Sequence, residues 1–558
     1  GINVTAGITT VQALQATTGT FSSTGSFGGD ISVNSLVVGR GANSVSNNTA
    51  LGIGALDASV TGNNNTAVGR SALTNLTSGA KNTAVGQIAL EDVTTGNSNC
   101  AVGSDALKNT TTGTGNVAMG VDALQANTTA DNNTAIGNEA LSANTTGASN
   151  VAVGANALDA NTTGTLSVAV GLQALTVSTT AGENTAVGAA AGRYIGSGVQ
   201  NTAVGRSALH SSVSGSTGQM TGDANVAVGY DTLYDLTTGS SNTALGARSL
   251  SNTTTGSNNT AVGRSALVNN TTASNNTAIG YAALQDNTTG TSNVAVGKGA
   301  LDANTTADGN TAVGHNALTT NTTGSENTSV GNNSMQLNTT GSNNVAVGRD
   351  SLVNNTTGGG NVAVGGLALN DNTTANYNTA VGYQALDVNT TGAYNVAMGH
   401  GALGANTTAS YNVALGDSSL LTNSTGTNLA AVGYRSLEKN TTGSSNTGIG
   451  YYALRENTTA SYNTALGTHA LQVNTTGANN TSVGYNALDA NTTGSENVAI
   501  GSGALSSLIN NDGNVAIGRN AIGSLTNGTA NTAVGNKALE DNTAEHNTAL
   551  GYHCLLQN

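Results

Sequence analysis

Proline and tryptophan are absent from this 558-residue chain, and charged residues make up only 8% of it. A proline would remove a backbone donor, so its absence suits a chain whose amides are hydrogen-bonded along most of their length. Disordered chains combine high net charge with few β-branched residues, whereas Val and Thr recur here at fixed places. The chain is therefore predicted to be ordered.

The charge that is present is acidic and thinly spread. The chain contains 15 Lys and Arg residues and 29 Asp and Glu residues, which gives a formal net charge of −14. No basic patch is visible, which excludes a nucleic-acid partner. No run of about 18 apolar residues exists, so we predict no membrane insertion.

Glycine, with 76 residues, marks an internal repeat. Glycines that close an Asn-Thr-Ala-Val-Gly element recur every 17 residues from Gly52 to Gly205 and again from Gly229 to Gly535. One interval of 24 separates the two runs, and a final step of 16 reaches Gly551. The consensus is N-[TV]-A-[VIL]-G-x-x-[AS]-L-x-x-N-T-T-[GA]-x-x, whose positions we number as slots 1 to 17. A period this strict predicts a repeat architecture.

Each slot of the repeat has a structural interpretation. Alternation places slots 2 and 4 on one face of a short strand and the slot 3 alanine on the other. The slot 5 glycine tolerates the positive φ of a corner. A second short strand, Ala140-Leu141 in one repeat, returns leucine to the interior, and the Asn-Thr-Thr-Gly segment turns the chain back. The sequence predicts an all-β protein, a parallel β-solenoid or β-roll of about thirty 17-residue rungs.

Slot 3 is alanine in nearly every repeat, with only Ser329, Ser482 and Gly448 departing. A free solvent face would not require so small a residue, whereas the close approach of another backbone would. We therefore predict lateral association of several chains through this face. The candidate packing residues are Ala135, Ala152, Ala278, Ala295 and Ala312.

The repeat also defines the domain organisation. Residues 1–38 lack it and are predicted to form a β-rich shaft or attachment segment, and residues 39–558 form the solenoid. Seven extra residues lie within 206–228 and predict a protruding loop, with His210, Ser216, Gln219 and Asp223 as its candidate residues. Insertions in repeat proteins often carry binding surfaces, although a tolerated insertion in a turn explains the same sequence.

Candidate catalytic and metal-binding groups are not found. Six histidines lie in variable slots or in the insertion without metal-ligand spacing. Cys100 and Cys554 replace small residues of the repeat and are separated by about 27 rungs, too far for a disulfide. Gly358-Gly359-Gly360 does not lead from a long strand into a helix, so it is not a phosphate loop. We predict neither metal nor cofactor.

Carboxylates recur at one outward slot, as Asp159, Asp302, Asp387 and Asp489. A glycosidase needs two carboxyl groups across a cleft, and these lie on separate rungs. We therefore predict that the protein is not an enzyme. A glycan-cleaving spike and an ice-binding solenoid stay as weaker alternatives.

Tyrosines form the most suggestive pattern on the predicted surface. Tyr377, Tyr394, Tyr411 and Tyr462 share slot 17, the first three on consecutive rungs. Stacked aromatic rings could hold sugar rings, which makes these residues candidate glycan or receptor contacts. The alternative is that the rings only stabilise neighbouring turns, as cross-strand aromatic pairs do.

The element N-[TV]-A-[VI]-G resembles the repeat in the head domains of trimeric autotransporter adhesins, which form trimeric parallel β-rolls. The longer array N-T-A-V-G-x-x-A-L-x-x-N-T-T-G is more similar to tail fibres of marine and other environmental bacteriophages. The likeness runs from about Gly28 to the C-terminus and includes the lead-in Val33–Gly41.

This resemblance implies a homotrimeric tail-fibre shaft that mediates host-cell attachment. Its expected partners are two further copies of the chain, a host-cell glycan or protein receptor, and other virion tail proteins bound through the N-terminus. The expected location is extracellular, on a virion tail. The alternative is a bacterial surface adhesin or extracellular filament.

Overall fold

A computed structural model describes residues 31–33, 35–211 and 219–556. Within these residues the chain is a parallel β-solenoid of about 29 turns spaced 17 residues apart, with almost no helix. The predicted fold class is thereby confirmed. The chain divides into two compact units, Gly1–Thr163 and Gly164–Asn558.

The first unit opens with antiparallel strands. Strand β1 (Ile31–Val33) pairs with β2 (Leu36–Gly39), and β2 pairs with β3 (Thr49–Ile53), with a 3-10 turn at Ala42–Ser44 between them. Strand β2 thus covers an edge of β3 that would otherwise be left unpaired. Of the predicted segment 1–38, residues 1–30 and 34 lie outside the described residues. The parallel ladder continues from β3 through β4 (Thr66–Val68), β5 (Thr83–Val85), β6 (Cys100–Val102), β7 (Val117–Met119), β8 (Thr134–Ile136) and β9 (Val151–Val153).

The second unit contains 23 strands of three residues, each paired in parallel with the next. They are β10 (Val168–Val170), β11 (Thr185–Val187), β12 (Thr202–Val204), β13 (Val226–Val228), β14 (Thr243–Leu245), β15 (Thr260–Val262), β16 (Thr277–Ile279), β17 (Val294–Val296), β18 (Thr311–Val313), β19 (Thr328–Val330), β20 (Val345–Val347), β21 (Val362–Val364), β22 (Thr379–Val381), β23 (Val396–Met398), β24 (Val413–Leu415), β25 (Ala430–Val432), β26 (Thr447–Ile449), β27 (Thr464–Leu466), β28 (Thr481–Val483), β29 (Val498–Ile500), β30 (Val515–Ile517), β31 (Thr532–Val534) and β32 (Thr548–Leu550).

Equivalent residues of successive turns lie opposite one another in the ladder. Ala278 pairs with Ala295 across a regular step of 17. The register also holds across the 24-residue step, where Ala203 lies opposite Ala227, and across the final step of 16. Extra or missing residues are therefore accommodated outside the strands.

The predicted second strand of each turn is wrong. Leu141 and Glu139 have φ values of 54° and 55°, in the left-handed region, so this segment is a tight turn. Its amides nevertheless bond to both neighbouring turns, from Leu141 N to the Ala157 carbonyl and from Glu139 N to the Val121 carbonyl, each at 2.9 Å. A left-handed residue costs on the order of 1 kcal/mol. Burying a leucine side chain, worth about 1.5–3 kcal/mol, offsets this cost.

Slot 5 requires glycine for two reasons. Gly280 has a φ of 139°, and a Cβ atom there would lie 2.5 Å from the Gly297 carbonyl oxygen of the next turn. The corner therefore needs both a backbone conformation that L-residues avoid and direct contact between the backbones of adjacent turns. The predicted role of this glycine as a corner residue is confirmed.

The alanines of slot 3 lie inside the turn, which corrects the predicted packing face. The side chains of Ala135, Ala152, Ala278, Ala295 and Ala312 are all 0% exposed within the single chain. The two serines of this slot are also directed inward, since Ser329 and Ser482 donate 2.8 and 2.7 Å bonds to the slot 8 carbonyls of their own turns. These alanines are small because the narrow interior also holds the slot 9 leucine. They are not available to a second chain.

Two columns of buried asparagine complete the core. In slot 1, Asn276 accepts from the Asn293 backbone amide at 2.9 Å and donates to the Gly290 carbonyl at 2.9 Å. In slot 12, Asn287 donates to Asn270 Oδ1 at 3.1 Å and to the same Gly290 carbonyl at 2.9 Å. A buried polar group without partners is costly, and here each carboxamide is paired both within its turn and between turns.

We expect the slot 1 asparagines to hold neighbouring turns together. Asn242→Ala removes bonds to Gly256 and Asn225 and leaves the Asn259 amide without its acceptor. The opening free energy of these turns should fall by about 3 kcal/mol. Hydrogen exchange, followed on peptides from residues 225–262, would measure the loss locally, as a repeat protein requires.

The matched control is Asn258→Ala, at an exposed slot 17 position of the same turn. Alanine already occupies that slot, with positive φ, at Ala224 and Ala530. This control should change exchange little. Equal protection loss in both variants would contradict the role assigned to the buried column.

Candidate functional site

The outward face of the strands is a continuous surface along each described ladder. Because slot 3 points inward, alternation turns slots 2 and 4 outward. In β16 the pattern is a half-buried Thr277, a buried Ala278 and an Ile279 that is 41% exposed. The face is therefore the opposite one from that predicted for chain association.

This strand face is uncharged in both units and carries a continuous apolar row at slot 4. Slot 4 holds Val, Ile, Leu or Met in every strand from β3 to β32, and slot 2 holds Thr or Val except at Cys100 and Ala430. No charged residue occurs at either slot. The most exposed slot 4 side chains of the second unit are Val187, Leu245, Ile279, Val347, Met398, Ile449, Leu466, Ile500, Ile517 and Leu550.

The size of this face is unusual for a monomer. Twenty-three consecutive strands of the second unit contribute to it. The resulting apolar area is on the order of 1,000 Å², whereas the largest patches on monomeric proteins are typically a few hundred Å². An apolar surface of this extent is typical of a protein interface.

The slot 17 tyrosines form a stack on another side of the turn. The rings of Tyr377 and Tyr394 are 5.2 Å apart, and those of Tyr394 and Tyr411 are 5.3 Å apart and nearly parallel. All three rings are at least half exposed. Tyr462 occupies the same slot, but none of the ring contacts among the described residues involves it. The structure thus brings together three of the four predicted tyrosines.

A second aromatic cluster lies at slots 6 and 7 and was only partly visible in the sequence. The ring of Tyr451 is 5.5 Å from that of Tyr434 and 4.2 Å from that of Tyr452. The Arg455 guanidinium lies 4.8 Å from the centre of the Tyr452 ring. Tyr452 and Arg455 lie in slots without a consensus residue, so the repeat pattern does not single them out. Only their closeness to the slot 6 tyrosines could have identified them from the sequence.

Of the four residues predicted for the protruding loop, two lie within the stacked turns. Ser216 lies outside the described residues. His210 belongs to a turn of the solenoid, half-buried between Tyr194 and Tyr234, with ring centres 5.1 and 4.8 Å away. Burial, together with the nearby Arg193, lowers the pKa of His210. Its assignment to the loop is therefore wrong.

The other two predicted loop residues are exposed, and one of them, Asp223, is hydrogen-bonded into the stacked turns. Gln219 is exposed. Asp223 occupies slot 16, where its carboxylate accepts from the Val199 amide at 2.8 Å. Asp223 is thus part of the stacked turns, not of a separate loop.

Four aspartates share slot 10 and differ from ordinary surface carboxylates: Asp159, Asp302, Asp387 and Asp489. Burial raises the pKa of each of them, and at Asp302 the nearby Asp286 raises it further. Oδ1 of Asp302 is buried and has no hydrogen-bond partner among the described residues. In the same slot the neutral Asn370 donates to the Asp350 carbonyl at 2.9 Å, a bond that an ionised carboxylate cannot make.

Neither a metal cluster nor a membrane helix is visible in the described part of the chain. Within residues 31–33, 35–211 and 219–556, no three His, Cys, Asp or Glu side chains are grouped to hold an ion. No helix in these ranges is long and apolar enough to cross a membrane. Cys100 and Cys554 are both free thiols.

No known protein family and no curated protein matches this chain.

The slot 10 aspartates predict a pH dependence of local stability. Because its folded pKa is raised, Asp302 contributes stability below its unfolded pKa and loses it as the pH rises through the folded value. Asp302→Asn should therefore stabilise the surrounding turns at pH 7, by about 1 kcal/mol, and the gain should disappear near pH 3. Hydrogen exchange at both pH values would measure the gain in stability.

The control is Asp57→Asn, at the same slot but exposed in the first turn. A gain for Asp302→Asn that persists at low pH would contradict the assignment.

Proposed function

We propose that this chain is a structural fibre protein that assembles laterally with further copies of itself and serves as the shaft of a bacteriophage tail fibre. The observation that carries the proposal is the uncharged strand face with its continuous apolar row at slot 4. A solvent-facing slot would vary in polarity between turns, as slots 6 and 7 do, whereas slot 4 is apolar in every turn.

A second copy of the chain is the partner that fits this face. The 23 strands of the second unit, at about 4.8 Å each, form a stripe roughly 105 Å long. A partner must offer apolar groups with the same spacing over the same length, and the chain itself does. Cyclic symmetry around an axis along the stack would place equivalent turns at equal heights and close the assembly.

The proposed number of three chains and the tail-fibre role derive from the sequence resemblance. An N-T-A-V-G array of this kind resembles phage tail fibres most, and the related adhesin heads are trimers. The proposed location is extracellular, on the virion tail. Its proposed partners are other tail proteins and a host-cell glycan or protein receptor.

Charges placed in the strand face should separate the chains. Val313→Lys with Val330→Lys puts two ammonium groups at slot 4 of adjacent turns, where burial against another copy would leave them unpaired. We expect the wild-type protein to have about three times the mass of one chain in light scattering, and the double variant to be mostly monomeric.

The control places the same charges at slot 6 of the same turns, as His315→Lys with Asn332→Lys. Slot 6 already holds lysine at Lys298, so the control should assemble as the wild type does. A monomeric wild-type protein, or a double variant of unchanged mass, would refute the proposed assembly.

The location requires a separate experiment. Gold-labelled antibodies against the chain, applied to material from the producing culture, should mark phage tails in electron micrographs. Labelling of bacterial surfaces instead would refute the tail-fibre assignment and favour the adhesin.

A further inference from the structure

A notch in the turn surface adjoins the tyrosine stack. Slots 16 and 17 carry outward residues, and in one turn both are glycine, Gly359 and Gly360. No other repeat has glycine at both slots. At these two positions the turn has no side chains of its own, whereas the turns before and after it do. The result is an open groove of about 470 Å³.

One wall of the groove is the ring of Tyr377. A Cβ atom at Gly360 would lie 2.7 Å from Cδ1 of this ring, so the ring extends over the space that the glycine leaves. Tyr377 is 60% exposed, and its ring is supported by the stacked rings of Tyr394 and Tyr411. The Tyr377 ring thus closes one side of the groove, and the stacked tyrosine rings behind it hold it in place.

The other lining groups are neutral and polar. Among the described residues, the carboxamide of Asn343 and the hydroxyls of Thr340 and Thr357 make no hydrogen bond to protein. Oδ1 of Asn376 accepts from the Gly359 amide at 2.6 Å, which leaves its NH2 group available. No charged side chain lines the groove. Donors and acceptors are therefore free beside the aromatic ring.

We infer that this groove binds a neutral saccharide. A pyranose has an apolar C–H face that packs on an aromatic ring and hydroxyls that exchange hydrogen bonds with amides and hydroxyls. The neutral lining and the acidic chain both disfavour a negatively charged sugar. The volume falls within the range of ligand sites, about 300–1,000 Å³. The inference extends the proposed function by giving the shaft a ligand of its own, separate from the strand face.

The test uses the full chain and a panel of immobilised neutral oligosaccharides of glucose, galactose, mannose and N-acetylglucosamine. Sialylated and sulfated glycans serve as charged comparators. We expect one or more neutral glycans to bind. Tyr377→Ala removes the aromatic wall and Gly359→Asn fills the notch, and each should weaken that binding by about tenfold or more.

Both substitutions use residues that their slots already accept. Alanine occupies slot 17 at Ala224 and Ala530, and asparagine occupies slot 16 at Asn97 and Asn376. Neither variant should therefore unfold the turn. Tyr462→Ala is the matched control, because it deletes a tyrosine of the same slot away from the groove, and it should leave binding unchanged.

Three results would overturn the inference: no glycan binds, only charged glycans bind, or Tyr462→Ala weakens binding as much as Tyr377→Ala does. Light scattering on the same samples separates this inference from the proposed assembly. Glycan binding can fail while the mass stays that of the assembled protein. A monomer that still binds the glycan would instead refute the assembly alone.

Discussion

The structure depends on one constraint, that equivalent polar groups of successive turns lie within hydrogen-bonding distance of each other. Backbone amides bond from turn to turn through the strand, the leucine turn and the threonine segment. The slot 1 asparagine adds a side chain that serves both its own turn and the next. A proline would interrupt this ladder, and the narrow interior holds alanine, leucine and asparagine rather than charged or aromatic groups. The unusual composition follows from the stacking.

The period and the solenoid fold could be predicted from the sequence, because stacked turns repeat the same requirements every 17 residues. Whether the slot 3 side chain points into or out of the turn could not be predicted. Alternation shows that Ala278 and Ile279 face opposite sides, but it does not show which side is inside. The volume of the turn decides this, since the slot 9 leucine fills an interior that has room only for alanine beside it. Packing, not periodicity, therefore placed the large β-branched residues outside.

The candidate surfaces were predictable to different degrees. The stack of Tyr377, Tyr394 and Tyr411 follows from their shared slot on consecutive turns. The cluster that includes Tyr452 depends on contact between two different slots of neighbouring turns, for which the sequence has no periodic signal. His210 was misplaced because an insertion hides where the regular turn stops. The charged and aromatic variation lies at the outer slots, which can change without disturbing the interior, whereas the buried slots vary only among small, apolar and neutral polar residues.

The preserved register at the irregular steps has a consequence for how such proteins change. Since a turn contacts only its neighbours along the stack, a whole 17-residue module can be gained or lost while the remaining strands stay aligned. Unequal recombination between near-identical gene segments would then lengthen or shorten the protein in increments of about 4.8 Å. The number of turns can therefore evolve independently of the cross-section of each turn.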